Sequence, residues 1–87
     1  MERGTVKGIQ ASFGSGIMTL TLENEDGKTV RVHGDSGPTG RALIHAFGRE
    51  VCSGHTLLTD KLVGREVVYA LDDFGFLAGL ANADEVE

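Results

Sequence analysis

Between Ile17 and Glu23 apolar and polar positions alternate without a break: Met18, Leu20 and Leu22 point one way, Thr19 and Thr21 the other. A period of two is that of a strand with one buried face. Asn24-Glu25-Asp26-Gly27 follows as a hairpin loop, with glycine where a positive φ is wanted. Lys28 to His33 resumes the alternation, burying Val30 and Val32 and presenting Thr29, Arg31 and His33. Arg3 to Phe13 reads as an earlier strand whose alternation fails midway. Val6 and Ile9 lie on opposite parities, so one core collects both only if the strand bulges. Gly8, between them, permits the bulge, and Gly14-Ser15-Gly16 then turns the chain.

After His33 the period changes. Asp35-Ser36-Gly37-Pro38 supplies cap candidates, with Pro38 early enough that its missing N–H costs nothing. Ala42, Leu43, Ala46 and Phe47 recur at helical spacing, and Gly48 stands where a left-handed C-cap belongs. The spacing predicts a helix from Pro38 to Phe47, roughly three turns long and unstable by itself. Cys52 to Thr59 has room for a short extended piece, and Asp60-Lys61-Leu62 for a single turn. Arg65 to Leu71 is apolar on both faces, which places it centrally or under cover. Asp72-Asp73-Phe74-Gly75 turns the chain into a last strand, Phe76 to Ala81.

The resulting order is mostly β, β-β-β-α-β-β. It resembles the OB-fold, a small five-stranded, partly open barrel with one short helix between strands three and four. The resemblance runs from Arg3 to Ala81 and lies in element order. It implies that Leu43 and Phe47 plug one end of the barrel and that the bulge wraps the first strand around it. An SH3-like barrel or an open α+β sheet satisfies the same order.

Composition narrows this picture. Eighty-seven residues make one domain, taken as residues 1–83, with an acidic, flexible end at 84–87. With no Trp and 6% aromatic residues, the core must be aliphatic. The net charge of −5 disfavours non-specific coating of nucleic acid, though not a local basic stripe. A lone Cys52 excludes a disulfide within the chain. The opening residues lack the apolar stretch of a secretion signal and no apolar run is long enough to span a membrane, so a cytoplasmic protein is expected.

No motif specifies a chemistry. Gly34-Asp35-Ser36-Gly37-Pro38 resembles the nucleophile segment of chymotrypsin-like proteases, but those need two barrels to assemble Ser, His and Asp. Here the segment reads as a turn and helix cap. Its glycines, Gly37 and Gly40, together with Arg41 form a candidate anion site at the helix start, without the Gly-Lys-Ser/Thr ending of a P-loop. Cys52 and His55 are too few for zinc and lack an orienting third group for nucleophilic catalysis. Cys52 reads instead as a small buried residue. Asp72 and Asp73, adjacent in the chain, point apart and belong to a solvated loop, where they would repel a phosphate backbone.

The remaining candidate is a surface. The outer positions of the first three strands collect Lys7, Thr19, Thr21, Arg31 and His33, with Phe13 beside the first turn. Cations and an aromatic on such a face suit single-stranded nucleic acid. The expectation is a non-catalytic binding module, without cofactor or metal, whose partner is another macromolecule and not a membrane. The alternative is a protein-interaction or homo-oligomeric assembly subunit using sheet edges, anchored by Phe74 and Phe76.

Overall fold

The computed structural model describes every residue except 13, 15, 55 and 87, and of residues 12 and 86 the backbone alone. Three strands come first, β1 (Glu2–Ser12), β2 (Ile17–Asn24) and β3 (Thr29–Asp35), followed without a linker by α1 (Ser36–Phe47). A 3₁₀ turn (Arg49–Val51), a two-residue-per-strand hairpin of β4 (Cys52–Ser53) and β5 (Thr56–Leu57), and α2 (Thr59–Leu62) lead on to β6 (Glu66–Leu71). The chain ends with β7 (Leu77–Asn82) and α3 (Ala83–Val86). The acidic Asp84 and Glu85 are exposed on α3, while Ala83 at its start is buried.

The main sheet is antiparallel and five-stranded, in the order β3-β2-β1-β6-β7. Each alternation in the sequence now has its cause. Met18, Leu20, Leu22 and Val32 face the core, while Thr19 and Thr21 lie on the opposite side with Arg31 and His33. β1 bulges where its parity demanded it. Val6 pairs with Leu22 and Gly8 with Thr21, leaving Lys7 as the extra residue. Ile9 thereby pairs with Leu20 and joins Val6 on the core side. β7 solves the same problem in the same way. Ala70 pairs with Gly79 and Leu71 with Leu77, so Ala78 is extra and Leu77 and Leu80 both reach the core. β6 sits between β1 and β7, and its Val67, Val68 and Tyr69 are all buried, as its two apolar faces required. α3 packs on β6 and β7, where Val68 and Ala83 are buried outside the main cluster.

α1 begins two residues earlier than its spacing predicted. Asp35 is its N-cap but makes no capping bond with its side chain, and the Ser36 N–H donates instead to the Gly16 carbonyl at 2.8 Å. At the other end Gly48, with φ 87° and ψ 174°, donates its N–H to the Ile44 carbonyl at 2.7 Å. A conformation of that kind is open essentially to glycine alone. Between these ends Thr39, Leu43, Ala46 and Phe47 are buried. Leu43 is fully buried with Leu20, Leu22, Leu62, Val6, Val51 and Val67. Each such side chain contributes about 1.5–3 kcal/mol relative to exposure.

Two expectations are corrected. The sheet is not closed into a barrel: among the described residues the only backbone pairing between β3 and the start of β7 is one isolated parallel bridge, His33 to Phe76, just before β7. Beyond that residue β7 runs into its bulge, and α1 and Leu77 fill the space where a ladder would continue. An ideal Cβ on Gly34 would collide with the Thr39 Oγ1 and come within 3.0 Å of Leu77 Cβ, which shows how tightly α1, β3 and β7 meet there. Leu43 and Phe47 accordingly pack in the core of an open sheet and do not plug a cylinder. Nor does one short helix alone join β3 to β6. The 3₁₀ turn, the small hairpin and α2 also lie between them, and α2 contributes the fully buried Leu62. Among the described residues no helix is long and apolar enough to cross a membrane.

Candidate functional site

Residues that alternate outward on three paired strands fall into rows across the sheet. In one row Gly8, carrying the bulged and exposed Lys7 at its side, pairs with Thr21, and Thr21 with Arg31. In the next, Gln10 pairs with Thr19, Thr19 with His33, and His33 bridges to Phe76. Rows two residues apart are about 7 Å apart along the strands. Lys7, Thr19, Thr21, Arg31 and His33 are therefore brought together on one face. Phe13 lies outside the described residues.

Within that face, Thr19 Oγ1 lies 2.8 Å from His33 Nδ1, which fixes the imidazole ring and leaves its far nitrogen toward solvent. Among the described residues the face's cations are uncommitted. The ion pairs run elsewhere, Arg3 to Glu66 at 3.5 Å and Arg65 to Glu50 at 3.0 Å, with Arg65 also 5.5 Å above the Phe47 ring. Neither Lys7 nor Arg31 takes part in such a pair.

Phe76, next to His33, adds an aromatic that alternation alone did not assign to this face. Phe74 stands at the tip of the adjoining hairpin, 90% exposed. Asp72 is what holds it there. Its Oδ1 accepts the N–H groups of Phe74 and Phe76, each at 2.9 Å, and its carbonyl accepts the Gly75 N–H at 3.0 Å. The β2–β3 hairpin is built by the same device. Asn24 Oδ1 accepts the N–H groups of Asp26 at 3.0 Å and Lys28 at 2.9 Å, and its carbonyl accepts the Gly27 N–H at 3.0 Å. Phe74 thus occupies the place of Asp26, a position where an apolar side chain does nothing for the turn. The Asp72 carboxylate, read from sequence as a repulsive charge on a phosphate path, is occupied with backbone amides.

The second candidate lies across the molecule. A groove of about 680 Å³ runs between the far half of β1, the start of α1 and the β4–β5 hairpin. Gly37, Gly40 and Arg41 border it, and Arg41 is its one charged lining residue among those described. An ideal Cβ on Gly37 would lie 3.5 Å from Arg41 Nη1, so the guanidinium folds back over the first turn of α1. Cys52 also lines the groove, half-buried, with Sγ 3.5 Å from the Arg49 carbonyl. It is less enclosed than a small core residue. The Cys52–His55 pairing falls partly outside the described residues, since His55 is not among them. Among the described residues no three His, Cys, Asp or Glu side chains gather where they could hold a metal ion.

No protein-family model, no curated protein and no solved structure matches this chain. A functional reading therefore rests on these two surfaces alone.

Proposed function

We propose that the chain is a non-catalytic binding module that holds single-stranded nucleic acid on the outer face of β1–β3, in the manner of an OB-like sheet. One observation carries the reading: two rows of paired strand positions set the uncommitted Lys7 and Arg31 beside Thr19, Thr21 and His33, with Phe76 at the row's end and Phe74 at the hairpin tip. Cations that meet phosphates and aromatics that stack on bases are the two things such a strand needs. With a net charge of −5 the protein would bind by this local stripe and not by its overall field.

Fluorescence anisotropy of labelled deoxythymidine and uridine oligomers across a salt series tests it. Two phosphate contacts, from Lys7 and Arg31, give a log–log salt slope of about −1.4, and Arg31→Ala flattens it by about 0.7. Phe74→Ala weakens binding by about 1–3 kcal/mol, the worth of one stacked base. Absence of binding at low salt, or a slope indifferent to Arg31, rejects the proposal.

A second reading, a protein-interaction or homo-oligomeric assembly subunit, is favoured by the same unclosed sheet. Among the described residues the outer edges of β3 and β7 have no strand partner beyond the His33–Phe76 bridge, and Phe74 protrudes from the adjoining hairpin. Exposed edges of this kind pair with other chains. Sedimentation at several concentrations separates the readings: a strict monomer that binds oligomers supports the first, and a concentration-dependent dimer weakened by Phe74→Ala supports the second.

A further inference from the structure

β1 changes partners at its bulge. Glu2–Thr5 pair with β6 on one edge, Gly4 and Thr5 also with β2 on the other, and Val6 closes the β6 side by bonding the Arg65 carbonyl at 2.9 Å and the Gly64 N–H at 2.8 Å. Gly8–Ser12 continue the ladder with β2, but no described strand pairs with them on the opposite edge. A backbone edge of five residues, about 17 Å long, is thus left without a partner strand among the described residues for its outward N–H and C=O groups. The groove is lined by Ile9 and Ala11 of this same segment, with Met18, Ile44 and Leu57 adding to its apolar lining and Arg41 supplying its charge. α1 begins at the Ser12 end, because its first N–H is bonded to Gly16, and the Arg41 guanidinium lies over that first turn.

We infer that this groove takes an extended peptide segment of a partner protein, which adds to β1 as a further strand beside Gly8–Ser12. Three features converge on that occupant. Strand addition satisfies the backbone groups of this edge. The alternation of a strand presents every second side chain to the apolar lining, so the peptide carries apolar residues at alternate positions. Arg41, in no ion pair among the described residues and folded over a helix start whose dipole also favours negative charge, matches an acidic residue at the peptide end nearest Ser12. A small apolar ligand would use the lining but leave the strand edge without a partner, and a nucleic acid would use neither. The site is separate from the outer face of β1–β3, because Ile9 and Ala11 point away from Gly8 and Gln10.

The test uses fluorescein-labelled heptapeptides of alternating valine and threonine that carry a terminal glutamate, a terminal lysine or no charge. Saturable anisotropy with the glutamate peptides is expected, with new hydrogen-exchange protection at amides between Gly8 and Ser12. Arg41→Glu, checked for folding by circular dichroism, is expected to weaken the glutamate peptides roughly two- to five-fold and to favour the lysine ones by a similar factor. Arg31→Ala leaves peptide binding unchanged, and an oligonucleotide does not displace the peptide, so this site and the outer face succeed or fail separately. No saturation up to millimolar peptide overturns the inference. So does binding without protection at Gly8–Ser12, or an Arg41→Glu protein that keeps the glutamate preference.

Discussion

Gly34 is where the open edge of the sheet, the helix and the last strand are held together, and replacing it with alanine measures that joint. Gly34 is buried in β3 opposite Met18, and it is not among the glycines with positive φ, so alanine is compatible with its backbone. That compatibility by itself stabilises by about 0.4–1 kcal/mol through the unfolded chain. The added methyl, however, would overlap the Thr39 hydroxyl and sit 3.0 Å from Leu77 Cβ. Thr39 is 4% exposed and Leu77 packs on the core, so neither can swing into solvent. Overpacking of this kind costs about 1–3 kcal/mol, which leaves a net loss of roughly 0.5–2 kcal/mol after the chain-entropy gain. Urea unfolding followed by circular dichroism reads this as a midpoint lowered by about 0.5–2 M for a urea slope near 1 kcal/mol/M. Gly40→Ala supplies the opposite sign. Gly40 lies in the same helix with nothing within 4 Å of an added Cβ, and should stabilise by about 1 kcal/mol through helix propensity. Adding Thr39→Ala to Gly34→Ala should return part of the loss, a coupling that a double-mutant cycle isolates. A Gly34→Ala protein as stable as the parent would refute the claim that α1 and β7 close on β3 at this point.

Gly48→Ala forces a side chain into φ 87°, ψ 174° and is expected to lower stability by about 1–3 kcal/mol in the same urea assay. Tyr69 has its pKa raised above the ordinary 10.0, first by burial and then by the Glu2 carboxylate. The unfolded chain therefore loses this proton near pH 10 while the folded one keeps it. Stability should fall as pH rises above that value and through the folded pKa, and Tyr69→Phe should flatten that alkaline decline in pH-dependent unfolding. Phe74→Ala should leave the unfolding midpoint unchanged within about 0.5 kcal/mol, because a side chain 90% exposed holds nothing in the fold. A large loss would mean that Phe74 is structural and would remove it from either binding surface.

Much of the architecture was legible because it depends on local rules. The alternation of Met18 through Val32 fixed which face of the first hairpin is buried, and the parity clash between Val6 and Ile9 required the bulge that Lys7 occupies. Gly48 announced the helix stop, and the apolar run at Val67–Tyr69 announced a covered central strand. The outer face of Lys7, Thr21, Arg31, Thr19 and His33 followed from the same period of two, because adjacent antiparallel strands carry a local pattern sideways without further information.

What the chain could not announce were relations between segments distant in sequence. Whether the sheet closes depends on how α1, Thr39 and Leu77 share the space beside Gly34, a packing outcome that no single segment encodes. The place of Phe76 beside His33 needs the β3 and β7 edges to approach, and the groove at Arg41 needs β1 to lose β6 as a partner just where α1 and the β4–β5 hairpin pass over it. Local periodicity set the faces of each strand, because side-chain direction is a property of the backbone itself. The tertiary structure decided which edges stay unpaired, because an edge is free only when everything else in the molecule has been placed somewhere else.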